Sequence, residues 1–194
     1  MQVEPLTTVA GVPLEGPLLL TPRVFGDERG FFFESWNQKA FNAAAGETCF
    51  VQDNHSRSSR GVLRGLHYQL PPQPQGKLIR CVAGEIFDVA VDIRRESSTF
   101  SEWVWAVLSA ETKQQFWVPA GFAHGFLTLS EHAEVLYKTT DFWSRECERA
   151  ISWDDPQLAI AWPLQALAGT PPQLSGKDAA APLLAELAEG DLFP

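Results

Sequence analysis

Residues Gly61 to Arg80 read GVLRGLHYQLPPQPQGKLIR, two extended segments on either side of a loop holding Pro71, Pro72 and Pro74. Successive side chains of a strand point to opposite faces. A strand over Arg64-Gly65-Leu66-His67-Tyr68 therefore puts His67 on the face of Gly65 and turns Tyr68 away. Gly65 then leaves room beside the imidazole. Arg64, His67, Lys77 and Arg80 are side chains suited to moving a proton and holding an anion. Histidine can act as a base near neutral pH, and a lysine ammonium can stabilise an oxyanion. The same residues also suit an ordinary hairpin with surface cations and one hydrogen-bonded histidine, and this stretch alone leaves both readings open.

Toward the C-terminus the pattern continues as strands. Lys77 to Val82 is followed by a turn at Ala83-Gly84. Glu85 to Ile93 places Phe87, Val89, Val91 and Ile93 on one face and Ile86, Asp88, Ala90 and Asp92 on the other. Further strands are expected over Glu102–Leu108, Gln115–Val118, Gly125–Leu129 and Glu134–Thr140, with a turn from Pro119 to His124. In the last of these, Val135, Tyr137 and Thr139 share a face. Short strands divided by Gly, Pro and Ser turns predict an antiparallel β-sandwich or barrel. Ile151 to Pro163 reads as a loop anchored by Trp153 and Trp162. Ser175 and Asp178 fit a capping box that opens a helix running to Ala188, with Pro182 placed in its first turn.

Toward the N-terminus, Leu18-Leu19-Leu20 is expected as a short strand, Val24 to Gly30 as a charged turn and Phe31 to Glu34 as a second strand. Ser35 to Gly46 reads as a helix, with Ser35 and Gln38 as its capping box and Gly46 at its end. Cys49 to Gln52 is extended, and Asp53 to Arg60 is a polar stretch. No repeat, linker or domain boundary appears, so residues 1–194 are expected to form one domain.

With 45% hydrophobic and 20% charged residues, the composition is that of a globular chain able to bury a core without disulfides. A net charge of -9 argues against a general nucleic-acid binder. It leaves room for a small phosphorylated ligand, because Arg57, Arg60, Arg64, Lys77 and Arg80 cluster. Cys49, Cys81 and Cys147 have no paired spacing, which suggests reduced thiols. The N-terminus carries no basic-then-apolar leader, and no apolar run approaches the length of a membrane span. A cytoplasmic protein, with no membrane and no nucleic-acid partner, is the expectation.

His67 and His124 both fall where strands of a jelly roll could point inward. Pro119-Ala120-Gly121-Phe122-Ala123-His124 resembles the second motif of cupins, but His67-Tyr68-Gln69 has glutamine where metal-binding cupins place a second histidine. Two histidines fall short of the three protein ligands of a lasting catalytic site, so no metal is expected. His55 and His132 sit in polar, loop-like contexts. Of the two tyrosines, Tyr68 faces away from His67, which leaves Tyr137 as the candidate phenolic acid or as a core residue with its hydroxyl at the rim. Asp178 could orient a histidine or serve only as the acid of its cap.

Seven segments in order carry a resemblance over nearly the whole chain. They are Asp27-Glu28-Arg29-Gly30 with Phe31 and Glu34; Gln52-Asp53-Asn54-His55-Ser56; Gly61 to Gln69; Gln75-Gly76-Lys77-Leu78; Pro119 to Phe126; Leu136-Tyr137-Lys138; and Leu174-Ser175-Gly176-Lys177-Asp178. Together they resemble the dTDP-4-dehydrorhamnose 3,5-epimerases, metal-free cupins of nucleotide-sugar metabolism. The resemblance implies a mainly β, cupin-type jelly roll with a few short helices, no cofactor and a dTDP-sugar substrate. It implies His67 as general base, Asp178 as its partner, Tyr137 as the acid on the opposite sugar face and Lys77 as the support for the enolate oxygen. Arg29, Glu34, Gln52, Asn54, Arg64, His124 and Lys177 correspond to positions that hold the nucleotide diphosphate and sugar, with Phe31 and Trp143 as further contacts. One departure is Phe142-Trp143, where the family often has a second tyrosine; it bears on which sugar is taken, and a related C3-only epimerase is the alternative. The resemblance also implies a homodimer. Leu18 to Leu20 and Phe31 to Phe33 are apolar at consecutive positions, so both faces need cover, and a neighbour's sheet would supply it.

Overall fold

The computed structural model describes residues Met1 to Pro194. The strands anticipated from residue 61 onward are present, and strand structure begins well before them. β1 (Gln2–Thr7) pairs with β2 (Pro13–Thr21), and β3 (Val24–Asp27) and β4 (Gly30–Phe33) form a separate ribbon. Helix α1 spans Gln38–Ala45 and precedes β5 (Gln52–Ser59). Then come β6 (Leu63–Gln69), β7 (Lys77–Ala83), β8 (Glu85–Asp92), β9 (Trp103–Ser109), β10 (Gln115–Val118), β11 (Phe122–Thr128), β12 (His132–Thr139) and β13 (Glu148–Ala150). A short helix α2, Gly176–Ala179, follows near the C-terminus.

The strands assemble into a six-stranded sheet, β1-β2-β10-β7-β12-β5, and a five-stranded sheet, β13-β6-β11-β8-β9. Every pairing is antiparallel. The inner faces meet in one core, where Ile79, Phe116 and Val135 of the first sheet pack with Ile86, Val104 and Phe126 of the second. The alternation expected in residues 85–93 holds: Phe87, Val89, Val91 and Ile93 lie in a different core from Ile86 and Ala90. That second core is the outer face of the five-stranded sheet, covered by Ile151, Leu158, Trp162, Leu167 and Leu184 from the C-terminal wrap. α1 covers the outer face of the six-stranded sheet, where Phe41 packs on Leu20, Leu78 and Trp117. The result is the mainly β jelly roll that the sequence implied. No helix is long and apolar enough to cross a membrane.

Several boundaries differ from expectation, each for a local reason. β2 starts at Pro13, so Gly16-Pro17 lies inside it, and Leu18–Leu20 sit between β1 and β10 of the same chain. The turn expected over Val24–Gly30 is the β3–β4 ribbon, which closes at Asp27↔Gly30. α1 is capped by Asn37, whose Oδ1 accepts from the Ala40 amide at 2.9 Å. Gln38, expected to complete a box with Ser35, instead donates to Asn42 and to the Thr48 carbonyl. The polar stretch Asp53–Arg60 is strand β5, and β11 begins at Phe122, which puts His124 inside a strand rather than in a turn. The expected C-terminal helix to Ala188 stops after one turn. Pro182 has no N–H to continue it, and its carbonyl instead accepts from the Ser152 amide at 2.8 Å.

Candidate active site

His67 is placed by an irregularity in β6. Opposite β11, His124 pairs with His67 and Phe126 with Arg64, so β6 spends one residue more than its partner between these points. This bulge breaks the period of two. Leu63, Leu66 and Tyr68 all enter the outer core, so the expected sharing of a face by His67 and Gly65 does not describe this strand. Gly65 serves the approach of β11 rather than space beside the ring. It sits at φ +122, and a Cβ there would stand 2.5 Å from the Gly125 Cα and 2.7 Å from the His124 carbonyl oxygen.

The His67 Nε2 lies 2.7 Å from Asp178 Oδ1, close but without the alignment of a well-made hydrogen bond. That leaves Nδ1 as the ring nitrogen available to take a proton. Asp178 belongs to α2 and sits where both readings left open by the sequence would put it, against His67 and in its own helix cap. Its backbone amide donates to the Ser175 hydroxyl at 3.1 Å, and that hydroxyl donates to Oδ2 at 2.7 Å. The Gly65 amide reaches Oδ1 at 3.4 Å. Burial alone would raise this carboxyl; the contacts from His67, Ser175 and Gly65 outweigh it and hold Asp178 at about 2.

Lys77 opens β7, and its ammonium donates to the His67 carbonyl at 3.2 Å. Although the residue keeps some accessible surface, its charged end is enclosed. Burial brings it down to about 8, against the favourable charges of Glu148 and Asp88 and with the repulsion of Lys177. Tyr137 lies on the inner face of β12, in register with Asn54 and Ile79. Burial raises its phenol, the nearby Arg64 charge opposes that rise and Glu148 adds to it. A phenol so placed stays protonated at neutral pH, and Arg64 can stabilise the phenolate once the proton leaves. Tyr68 faces the other way, as expected, and donates to the Asp191 carbonyl at 2.6 Å.

His67, Lys77 and Tyr137 line one pocket of about 130 Å³, with Gln52, Asn54 and Trp143 among its walls. Trp143 is held there by its backbone amide, which donates to Gln52 Oε1 at 3.2 Å. Arg64 donates to the Ser58 hydroxyl at 3.1 Å. Lys177 reaches the pocket through Glu148, at 2.6 Å from its Oε1. His124 is buried on β11, in register with His67, and is paired with the fully buried Asp88 at 2.6 Å rather than lining the pocket. Arg29, Phe31 and Glu34 are not brought to the pocket within one chain. They ride on or beside the ribbon, where the Arg29 side chain is 85% exposed and Phe31 is 64% exposed.

Two residues of this neighbourhood went unnoticed in the sequence. Glu148 lines the pocket from a three-residue strand, too short to show any period. Asp88 did leave a readable signal: it is a carboxylate between Ile86 and Ala90, on a face that is otherwise buried.

The arrangement is a histidine–carboxylate base, a buried ammonium and a protonated phenol around one small cavity. A family model described as dTDP-4-dehydrorhamnose 3,5-epimerase matches residues 11–186. The chain is 62% identical to the dTDP-4-dehydrorhamnose 3,5-epimerase of Pseudomonas aeruginosa over 178 residues, 91% of this chain and 94% of that one. It is similar to a crystal structure of a dTDP-6-deoxy-D-glucose-3,5-epimerase from Legionella pneumophila in complex with dTDP-4-keto-L-rhamnose. There the TM-score is 0.89 at 50% identity, covering 98% of this chain and 97% of that one. A 3'-monoepimerase from Streptomyces bikiniensis in complex with dTDP-quinovose is more distant in sequence, with a TM-score of 0.86 at 34% identity over 98% of this chain and 92% of that one. With these matches spanning nearly its full length, the chain belongs to the dTDP-4-dehydrorhamnose 3,5-epimerase family.

Proposed function

We propose that the pocket bounded by His67, Lys77 and Tyr137 epimerises dTDP-4-dehydro-6-deoxy-D-glucose at C3 and C5, giving dTDP-4-dehydro-L-rhamnose. The observation that carries this is the His67–Asp178 pair set beside a buried ammonium and a protonated phenol in one cavity. Protons on C3 and C5 are both alpha to the C4 ketone, so removal of either gives an enolate. His67 takes the proton, and Asp178 stabilises the imidazolium that forms. Lys77 faces the oxygen on which negative charge develops. Tyr137 returns a proton to carbon from the opposite face, which inverts the centre, and the Arg64 charge stabilises its phenolate. A positioned base contributes about 10²–10⁴-fold to such a step. No hydride moves, so the chemistry calls for no nicotinamide. Gln52, Asn54 and Trp143 hold the substrate from the pocket walls, Arg64 adds its charge from beside Tyr137, and Lys177 and His124 support them. The enzyme works in the cytoplasm.

Incubation with dTDP-4-keto-6-deoxyglucose in deuterated water tests this reading. Label is expected at both C3 and C5, and at neither with His67→Ala. Label at C3 alone would make the protein a monoepimerase, and wild-type exchange in His67→Ala would place the base elsewhere.

The protein works as a homodimer in which the ribbon completes a second copy's site. Phe25, Phe31 and Phe32 of the ribbon are 51%, 64% and 72% exposed, an apolar surface that an isolated chain leaves in water. Seated over a second copy, the ribbon would carry Arg29, Phe31 and Glu34 to a pocket they do not reach in their own chain. Mixing an Arg29→Ala chain with a His67→Ala chain tests this. Shared sites give heterodimers with one intact site, so activity should return; no recovery despite confirmed heterodimers would refute it.

A further inference from the structure

The C-terminal tail, residues 187–194, lies beyond the part of the chain that the family model matches, and its contacts lead to the back of the pocket. β13 is a three-residue edge strand whose sole sheet neighbour is β6. In that pairing Arg149 stands opposite Tyr68 on the outer face, while Ala150 stands opposite His67 and Glu148 opposite Gln69 on the pocket side. Asp191 grips the outer pair from behind. Its Oδ1 accepts from Arg149 Nε at 2.5 Å, and its carbonyl accepts from the Tyr68 hydroxyl at 2.6 Å. Arg149 in turn donates to the Glu146 and Glu148 carbonyls at 2.8 and 3.0 Å. The tail is itself pinned: the Phe193 carbonyl accepts from the Arg95 amide, Glu189 pairs with Arg95, and Leu192 and Phe193 pack on the outer core.

We propose that Asp191 is a positioning residue for the epimerase pocket: it clamps β13 onto β6 from the outer face and so holds Glu148 against Lys177 beside Lys77. β13 is bonded on one side only, by three paired residues and by backbone hydrogen bonds joining Cys147 to Leu70 and Ile151 to Leu66 at its ends, so the grip on Arg149 sets how closely the middle of the strand lies on β6. A lift would separate Glu148 from Lys177 and withdraw a negative charge from Lys77. The charged groups facing Lys77 are Glu148 on β13, Asp88 on β8 and Lys177 on α2. Of these, only Glu148 sits on the strand that the tail controls.

The inference rests on this pocket being the sugar-nucleotide site, and the test keeps the two apart. Steady-state constants and the pH dependence of kcat/KM are measured for Asp191→Asn, Tyr68→Phe and Glu189→Gln, with His67→Ala alongside. Asp191→Asn is expected to raise KM about fivefold, the scale of one partly exposed ion pair. Its basic limb should also move to lower pH, because Lys77 loses part of the charge that supports it. Glu189→Gln cuts a solvent-exposed tail contact while the Phe193–Arg95 backbone bond and the packing of Leu192 and Phe193 still seat the tail, and it should leave both at wild-type values. Should Asp191→Asn fold poorly, Tyr68→Phe carries the same expectation, since it keeps the ring in the core and removes only the hydroxyl. Wild-type KM and basic limb in the folded variants, with His67→Ala inactive, would overturn the positioning role alone. Full activity in His67→Ala would overturn the pocket assignment and the inference with it.

Discussion

Raising the pH through the titration of Lys77 should switch the enzyme off while improving that residue's own contribution to the stability of the fold. Lys77 is held at about 8 against an ordinary value of 10.5, chiefly by burial. If its ammonium must face the enolate oxygen, kcat/KM follows the charged fraction of the free enzyme. That fraction is about 0.9 at pH 7, about 0.1 at pH 9 and about 0.01 at pH 10. Activity should thus fall about fivefold between pH 8 and 9 and about tenfold for each unit beyond. Tyr137, raised above 10 by burial, titrates beyond this window and does not create the limb. Stability runs the other way. Below pH 8 the folded chain must keep a buried cation, at a cost of at most about 3 kcal/mol for the 2.5 units between 8 and 10.5. Between those two values the unfolded chain binds more protons than the folded one, so the Lys77 contribution to stability improves as pH rises. The assay is initial-rate kcat/KM from pH 6 to 10 with enzyme-free blanks subtracted, paired with urea unfolding at each pH. Lys77→Gln should be slow but lack the limb near pH 8. A wild-type profile level to pH 10, or the same limb in Lys77→Gln, would refute the role given to this ammonium.

Tyr137→Phe keeps the ring and removes the acid, so deuterium wash-in through His67 should outlast formation of inverted product; full turnover in this variant would remove Tyr137 from the mechanism. Asp178→Asn should lower kcat by about 10²-fold or more, because the imidazolium loses its counter-charge. It should also remove a stability contribution that the wild type keeps above pH 3.8 and loses as pH falls toward 2; unchanged kcat would demote Asp178 to a cap. Gly65→Ala drives a methyl into the β11 backbone at an unfavourable φ, and its urea midpoint should fall by the equivalent of about 3 kcal/mol or more. A wild-type midpoint would show that the two strands are not held as closely as described.

The strands of residues 77–140 were readable because Gly, Pro and Ser turns divide short β-prone runs there, and in β8 each face meets a different core. β5 was not, and the reason is physical. Its burial alternates residue by residue from Gln52 to Ser59, but its hydropathy does not, since the less exposed positions are Gln52, Asn54, Ser56 and Ser58, the first two of which line the pocket instead of an apolar core. A strand that lines a site hides from a pattern built on hydrophobic burial. The bulge in β6 escaped for a related reason: register is set by β11, and residues 63–69 alone cannot report it. His67, Lys77, Tyr137 and Asp178 were candidates from residue type and position and received their roles from the resemblance; in the fold Asp178 lies against His67, and the other three line one pocket. Glu148 had neither period nor motif to mark it, and three-dimensional pairing alone brings it in. The ribbon read as a charged turn because Asp27, Glu28 and Arg29 dominate its tip, although Phe25 and Phe31–Phe33 flank them.

Asp178 ties the chemistry to the most fragile kind of structure in the chain. α2 is four residues long, and its first turn is closed by the same Ser175–Asp178 contacts that present the carboxylate to His67. Helices of a single turn open locally at smaller free energies than a sheet core. Each opening of α2 takes the counter-charge away from the base while the jelly roll stays folded. If His67 is the base, warming should extinguish turnover at a temperature where the sheets still resist unfolding; loss of activity only together with the sheets would refute this. A substitution such as Ser175→Ala, far from any reacting carbon, should lower that temperature further.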